Sequence, residues 1–194
     1  CILSAASCRK WWLEDILGTD DYVADEQRIA DVDSGSVIFL PYLSGERSPH
    51  NDVNAKGAFV GLTATTTTAQ MSRAVLEGVA FAIRDCLEVA RANGLSVRST
   101  NLCGGGARSA AWRQVFADVL NMPVHILTTE QGPSYGAAIL AMVGCGAYSD
   151  VATAAKRIVS VKQTILPSPQ NVAKLQTKYE IFTKLYPALR GLMS

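Results

Sequence analysis

The longest stretch of apolar periodicity in the chain lies between Thr67 and Gly94. Met71, Val75, Val79, Ala82, Cys86 and Val89 recur on one stripe, and Ala74, Leu76, Phe81 and Ile83 make the other faces apolar as well. That pattern predicts a helix sandwiched between other elements rather than one lying on the surface. Thr67 and Gln70 have the spacing of a capping box at its start, and Gly94 stops it after Asn93. Upstream, Ile2 to Leu17 predicts a helix with Trp11, Trp12 and Ile16 among its apolar positions and Gly18 as its C-terminal cap. Thr19 to Gly35 is polar and acidic, a surface connection with some helix. Ser36 to Leu40 is a β-rich run ended by Pro41, Tyr42 to Lys56 is an irregular loop, and Gly57 to Leu62 reads as a second strand.

Beyond Gly94 the period alternates. A strand (Val97 to Leu102), a glycine turn, a helix (Ser109 to Leu120), a strand (Pro123 to Leu127), a loop and a helix (Pro133 to Val143) follow one another. Strand and helix alternating at this spacing argue α/β layering with some parallel pairing. Trp112, Val115, Phe116, Val119 and Leu120 hold one face of the first of these helices. The second carries Gly136, Ala137, Ala138, Ala141 and Gly144, small residues that permit close backbone approach. Ser149 is placed to cap a further helix. A last helix, from about Gln170 to Leu189, puts Val172, Leu175, Tyr179, Phe182, Tyr186 and Leu189 on one stripe.

Composition narrows the function classes. Apolar residues make up 48% and charged residues 18% of 194, the mix of a globular domain. With 18 Lys and Arg against 17 Asp and Glu, there is no basic field for nucleic acid or an anionic membrane. Apolar runs break well before the ~18 residues a membrane-spanning helix needs. The five cysteines contain no C-x-x-C pair and there are only two histidines, so no metal-ligand cluster is expected. Buried thiols in a reducing cytoplasm account for such cysteines. The opening Cys1-Ile2-Leu3, without a methionine and already in a helical pattern, reads as part of a longer protein. Oligomeric state is not fixed by the sequence, and a homodimer is compatible with it.

The segment with most chemistry is Asn101-Leu102-Cys103-Gly104-Gly105-Gly106-Ala107-Arg108-Ser109. A strand runs into bare backbone and then into a helix opened by a serine, so amides and a helix N-terminus converge where a nucleotide can approach. It matches neither G-x-x-x-x-G-K-[ST] nor G-x-G-x-x-G, and a triple glycine alone is more often a tight turn than a ligand site. The loop Ser44 to Asp52 holds Glu46, Arg47, His50 and Asp52, residue types that carry acid–base chemistry, although its turn residues also explain an ordered surface loop. Glu77, inside an apolar helix, reads as a buried, paired carboxylate.

Three segments together resemble the FGGY carbohydrate kinases. They are Phe39-Leu40-Pro41-Tyr42-Leu43-Ser44-Gly45-Glu46-Arg47-Ser48-Pro49-His50-Asn51-Asp52; Gly57 to Leu62 followed after seven residues by Gln70-Met71-Ser72-Arg73-Ala74-Val75-Leu76-Glu77-Gly78; and Gly104 to Ser109 with Trp112-Arg113-Gln114 behind it. Leu3 to Cys8 and Trp11 also fit. Within the family the likeness is to members acting on D-xylulose. It implies a two-domain kinase with an actin-like, ribonuclease-H-like fold in each half and an ATP–sugar cleft between them. Residues 1–194 would then be part of the C-terminal, nucleotide-side domain, an α/β unit whose mixed sheet is flanked by helices and lacks its first strands. The N-terminal sugar-binding domain, with the aspartate base, would lie outside this chain.

The resemblance further implies transfer of the γ-phosphoryl of ATP to D-xylulose, with Mg²⁺ bridging the phosphates, and no catalytic residue or metal ligand in this chain. For the adenosine it implies backbone contact at Gly104, Gly105 and Gly106. Ser109 would add a polar contact or serve as an N-cap. Arg108 would flank the adenine or stay solvated. Trp11 would face the adenine edge or sit in the core, with Trp12 competing for the role. The loop Ser44 to Asp52 would lie near the interdomain cleft, and Gly136-Ala137-Ala138 would match a hinge helix or simply pack closely. A kinase for glycerol, ribulose or gluconate, and a non-catalytic nucleotide-binding module, are the alternatives.

Overall fold

The computed structural model describes residues 1–129 and 132–193. Glu130 and Gln131, in the loop expected after Leu127, lie outside the described residues. The chain opens with α1 (Ala6–Lys10), which runs into a π-helical turn over Trp11–Ile16. The expected single helix from Ile2 to Leu17 is therefore shorter and mixed. The π turn adds about one residue per turn, which brings the consecutive Trp12 and Leu13 both into the core. Ile16, expected on the apolar face, is 50% exposed. Asp21 then caps α2 (Tyr22–Ile29), the helical part of the connection from Thr19 to Gly35.

Next come β1 (Ile38–Leu40) and β2 (Ala58–Val60), an antiparallel pair in which Phe39 faces Phe59. Gly57, Gly61 and Leu62 fall outside β2. The capping box forms as expected at the start of α3 (Thr68–Ala92): Gln70 N–H donates to Thr67 Oγ1, and Thr67 N–H donates to Gln70 Oε1. Val75, Leu76, Val79, Ala80, Phe81 and Ala82 are all buried, so α3 is covered on several faces. It meets β1 so closely at Gly78 that a Cβ there would stand 2.1 Å from the Phe39 carbonyl oxygen.

The second half is layered. β3 (Thr100–Leu102) begins later than the expected Val97 and pairs in parallel with β4 (Val124–Leu127), with α4 (Ala110–Leu120) as the crossover. After α5 (Gly132–Gly144) and α6 (Val151–Ile158), β5 (Val161–Ile165) pairs antiparallel with β4, giving a mixed sheet in the order β3-β4-β5. β5 was not expected: its ladder with β4 is joined by Arg113 on Gln163 and by Ile165 against the core, and its other side chains are exposed. Asp150, not Ser149, caps α6 by accepting the Thr153 N–H, while Ser149 donates to Asp150. Finally, α7 (Pro169–Leu189) lays Leu175, Tyr179, Phe182 and Tyr186 on the core. The expected α/β class, mixed sheet and flanking helices are all present.

Candidate functional site

β3 leads out of the sheet into the glycine turn. Gly104 sits at φ 80°, ψ −172°, a region essentially closed to side chains, and Gly105–Arg108 make one 3₁₀ turn before α4 opens at Ser109. A Cβ at Gly105 would meet nothing within 4 Å, whereas one at Gly106 would stand 3.1 Å from the Trp112 ring. Gly105 and Gly106 thus present bare backbone to a cleft of about 960 Å³ between the turn, α1 and α2. That volume suits a small organic ligand. Ala6, Tyr22, Val23 and Trp112 give the cleft mainly apolar walls.

Its polar end is built on Glu26. The Glu26 carboxylate accepts the Ser109 hydroxyl at 2.6 Å, the Ala111 N–H at 2.6 Å and Arg9 at 3.1 Å. Ser109 Oγ in turn accepts the Trp112 N–H at 3.1 Å. Arg9 is shared with buried Asp25 at 3.2 Å, and Asp25 also holds Arg28 at 2.7 Å. The Ala111 and Trp112 amides of the first α4 turn are therefore taken by the protein's own groups. The positive end of the helix dipole already faces a carboxylate. This end of the cleft offers little to a phosphate and suits an uncharged, flat group.

The structure brings together most of the sequence-predicted residues. Gly105, Gly106, Arg108 and Ser109 line the cleft. Gly104 borders a smaller apolar cavity of about 350 Å³ on the other side of the turn. Ser109 is the N-cap and is buried. The Arg108 carbonyl accepts from Arg113, whose Nε also donates to the Ala107 carbonyl and so fixes the turn. Trp11 is not brought to the cleft: it stacks on Phe39 at 6.1 Å, and Trp12 is core, donating to Ser72 Oγ at 2.8 Å. The cleft's own aromatic residues are Tyr22 and Trp112, and Trp112 is also core, donating to the Leu76 carbonyl at 3.0 Å. Arg9, Tyr22 and Glu26 were missed. Their signal was an acidic pair inside a short amphipathic pattern, Tyr22, Asp25 and Ile29, in a stretch read mainly as connection.

The acid–base residues of the loop 44–52 hold the loop itself. Glu46 and Asp52 pair through their backbones, and the Glu46 carboxylate accepts the N–H groups of Arg47 and Ser48. Burial raises the Glu46 carboxyl above its ordinary value, against those hydrogen bonds. His50 stacks on Tyr186 at 3.9 Å and lies 3.1 Å from the Tyr42 hydroxyl, while Tyr186 donates to Asp52 at 2.6 Å. Nearby, burial and then the Glu46 charge push the Cys8 thiol up to about 12, so it stays protonated and donates to backbone carbonyls. Glu77 is buried and paired as expected, by Ser34 at 2.6 Å, Arg73 at 3.1 Å and Lys178 at 3.3 Å. Among the described residues no group of His, Cys, Asp or Glu side chains gathers as a metal-ion site. No residue here is assigned to Mg²⁺. Among the described residues no helix is long and apolar enough to cross a membrane.

A mixed α/β sheet thus feeds a glycine turn into a capped helix beside an open, mainly apolar cleft, the architecture of an α/β domain with room for a small ligand. Residues 4–145 match the model of the FGGY family of carbohydrate kinases, C-terminal domain, and the chain belongs to that family. Its relatives include the xylulose kinase of Escherichia coli (strain K12), 40% identical over all of this chain and 40% of that protein. Among solved structures, a ligand-bound xylulose kinase from Lactobacillus acidophilus superposes with TM-score 0.89 at 28% identity, covering 99% of this chain and 39% of the other. A gluconate kinase from the same organism gives TM-score 0.87, also at 28% identity, covering 97% and 39%. The chain thus spans about 40% of the length of these relatives.

Proposed function

We propose that this chain is the nucleotide-side domain of a cytoplasmic kinase that transfers the γ-phosphoryl of ATP to D-xylulose, giving D-xylulose 5-phosphate and ADP. The observation that carries the reading is the bare Gly105–Gly106 backbone on a mainly apolar cleft whose helix N-terminus is already closed by Glu26. Such a cleft fits the adenine and ribose of ATP. The phosphates, the sugar and the aspartate that takes the hydroxyl proton belong with the remainder of the longer protein. Mg²⁺, when bound, neutralises charge on the phosphates. What this chain does is bind the nucleoside, orient it through the turn fixed by Arg113, and form one wall of a cleft that shuts water out. The 40% identity to a xylulose kinase along the whole chain supports D-xylulose as the acceptor. The structural likeness to a gluconate kinase, at 28% identity, supports a second reading, a family member with a sugar acid or polyol as acceptor.

The test is made on the full-length protein. ATP-dependent phosphorylation of D-xylulose should exceed that of gluconate, ribulose or glycerol; faster turnover of any of these replaces the acceptor. In the same assay Gly105→Val, at a position where an added Cβ meets nothing within 4 Å, should raise the KM for ATP by about tenfold with little change in kcat, the mark of lost binding rather than lost chemistry. An unchanged KM sinks the nucleoside assignment.

A further inference from the structure

We infer that Glu26 is the positioning residue of the cleft, and that its charge makes the cleft select the uncharged nucleoside end of a nucleotide and reject an oxyanion. This rests on the nucleotide reading above and adds a residue and a selectivity to it. The geometry is specific. One carboxylate ties α2 to the first residues of α4, with one oxygen on Ala111 N–H at 2.6 Å and the other on Ser109 Oγ at 2.6 Å and Arg9 at 3.1 Å. Ser109 ends the glycine turn, so Glu26 anchors its α4 end while Arg113 holds the Ala107 and Arg108 carbonyls. Its side chain is 26% exposed and lines the cleft, within reach of a ligand.

A purely structural tether between two helices would not need this residue to be charged or exposed. Asp25, the neighbouring carboxylate, is the buried one, with 3% side-chain exposure, and ties α2 to α1 through Arg9 while holding Arg28 of its own helix. Glu26 adds a negative charge where a helix N-terminus and Arg9 would otherwise attract an anion. With it in place, Arg9 and Arg28 face Asp25 and Glu26, two charges against two, at the α4 end, while Lys10 and Arg108 line the cleft elsewhere. Phosphate groups are then directed away from the α4 terminus, and the apolar walls at Val23 and Trp112 are left for the base.

Binding of adenosine to the full-length protein, titrated with sulfate against a chloride control of equal ionic strength, tests this. Wild-type affinity should be indifferent to sulfate. Glu26→Ala should lower it about tenfold, the scale of a lost helix-terminal partner, and sulfate should then compete for the vacated helix end. Glu26→Gln keeps an acceptor for the Ala111 N–H but removes the charge. It should keep a near wild-type melting temperature and still acquire sulfate competition, which a tether alone would not produce. If both variants bind adenosine as wild type does and sulfate competes in neither, the role of Glu26 is overturned. If wild type binds no adenosine and Gly105→Val leaves ATP binding unchanged, the nucleotide reading falls instead.

Discussion

Gly78 shows how a single residue sets the distance between two elements. It lies in the interior of α3, where glycine costs about 1 kcal/mol of helix stability relative to alanine, yet the Phe39 carbonyl occupies the space a Cβ would need, at 2.1 Å. Overlap with backbone cannot be relieved by turning a side chain, so α3 and β1 would have to separate. Gly78→Ala should therefore destabilise by about 2–4 kcal/mol in denaturant unfolding. Gly136→Ala, in α5 with nothing within 4 Å of the added methyl, should be neutral or stabilise by up to about 1 kcal/mol. Equal effects at the two sites would show that the close approach does not govern the packing.

At the scale of elements, α7 is clamped to the loop 44–52 by the Tyr186–His50 stack and the Tyr186–Asp52 hydrogen bond. Burial and then the Arg190 charge hold His50 below its ordinary pKa, opposed by Asp52. The unfolded chain therefore binds the His50 proton more readily than the folded one. This contribution is complete above the unfolded pKa of about 6.5 and is lost as pH falls through the folded value beneath it. His50→Gln should cost about 1 kcal/mol at pH 7.5, the worth of an aromatic stack, and the gap to wild type should narrow at pH 5.5. Glu46 and Asp85, raised by burial, slope the other way but do so in both proteins, so they largely cancel in the difference. A gap that stays constant between the two pH values would mean the clamp does not titrate.

The same scale explains what the sequence made legible. α3 and α4 were readable because each buries a stripe at helical spacing and opens on a recognisable cap, Thr67 or Ser109. The glycine turn was readable because three glycines end a strand. By contrast, β5 is held by ladder hydrogen bonds that leave no burial pattern. The π turn at Trp11–Ile16 breaks the very period by which a helix is read, so the residue spacing left open whether Trp11 or Trp12 sits in the core; Trp11 lies on Phe39 and Trp12 is buried. Glu26 escaped notice because a carboxylate becomes a site residue only through partners 83 and 85 positions away.

For the whole molecule, the likeness to two kinases with different sugars bears on where the proposed function would set its specificity. The xylulose kinase and the gluconate kinase of Lactobacillus acidophilus match this chain with TM-scores of 0.89 and 0.87, each at 28% identity. On the function proposed above, this domain carries what the two reactions share, the nucleotide, and the choice of acceptor falls to the rest of the protein. That division predicts the behaviour of a chimera in which this chain replaces the matching portion of the gluconate kinase. Its preference should remain with gluconate, because the groups that distinguish a carboxylate from a ketose stay in place. Its KM for ATP should follow this chain, and Glu26→Ala should raise that KM in the chimera as it does in the parent. A chimera that phosphorylates D-xylulose faster than gluconate would place acceptor recognition inside residues 1–194, with the loop 44–52 the first segment to examine.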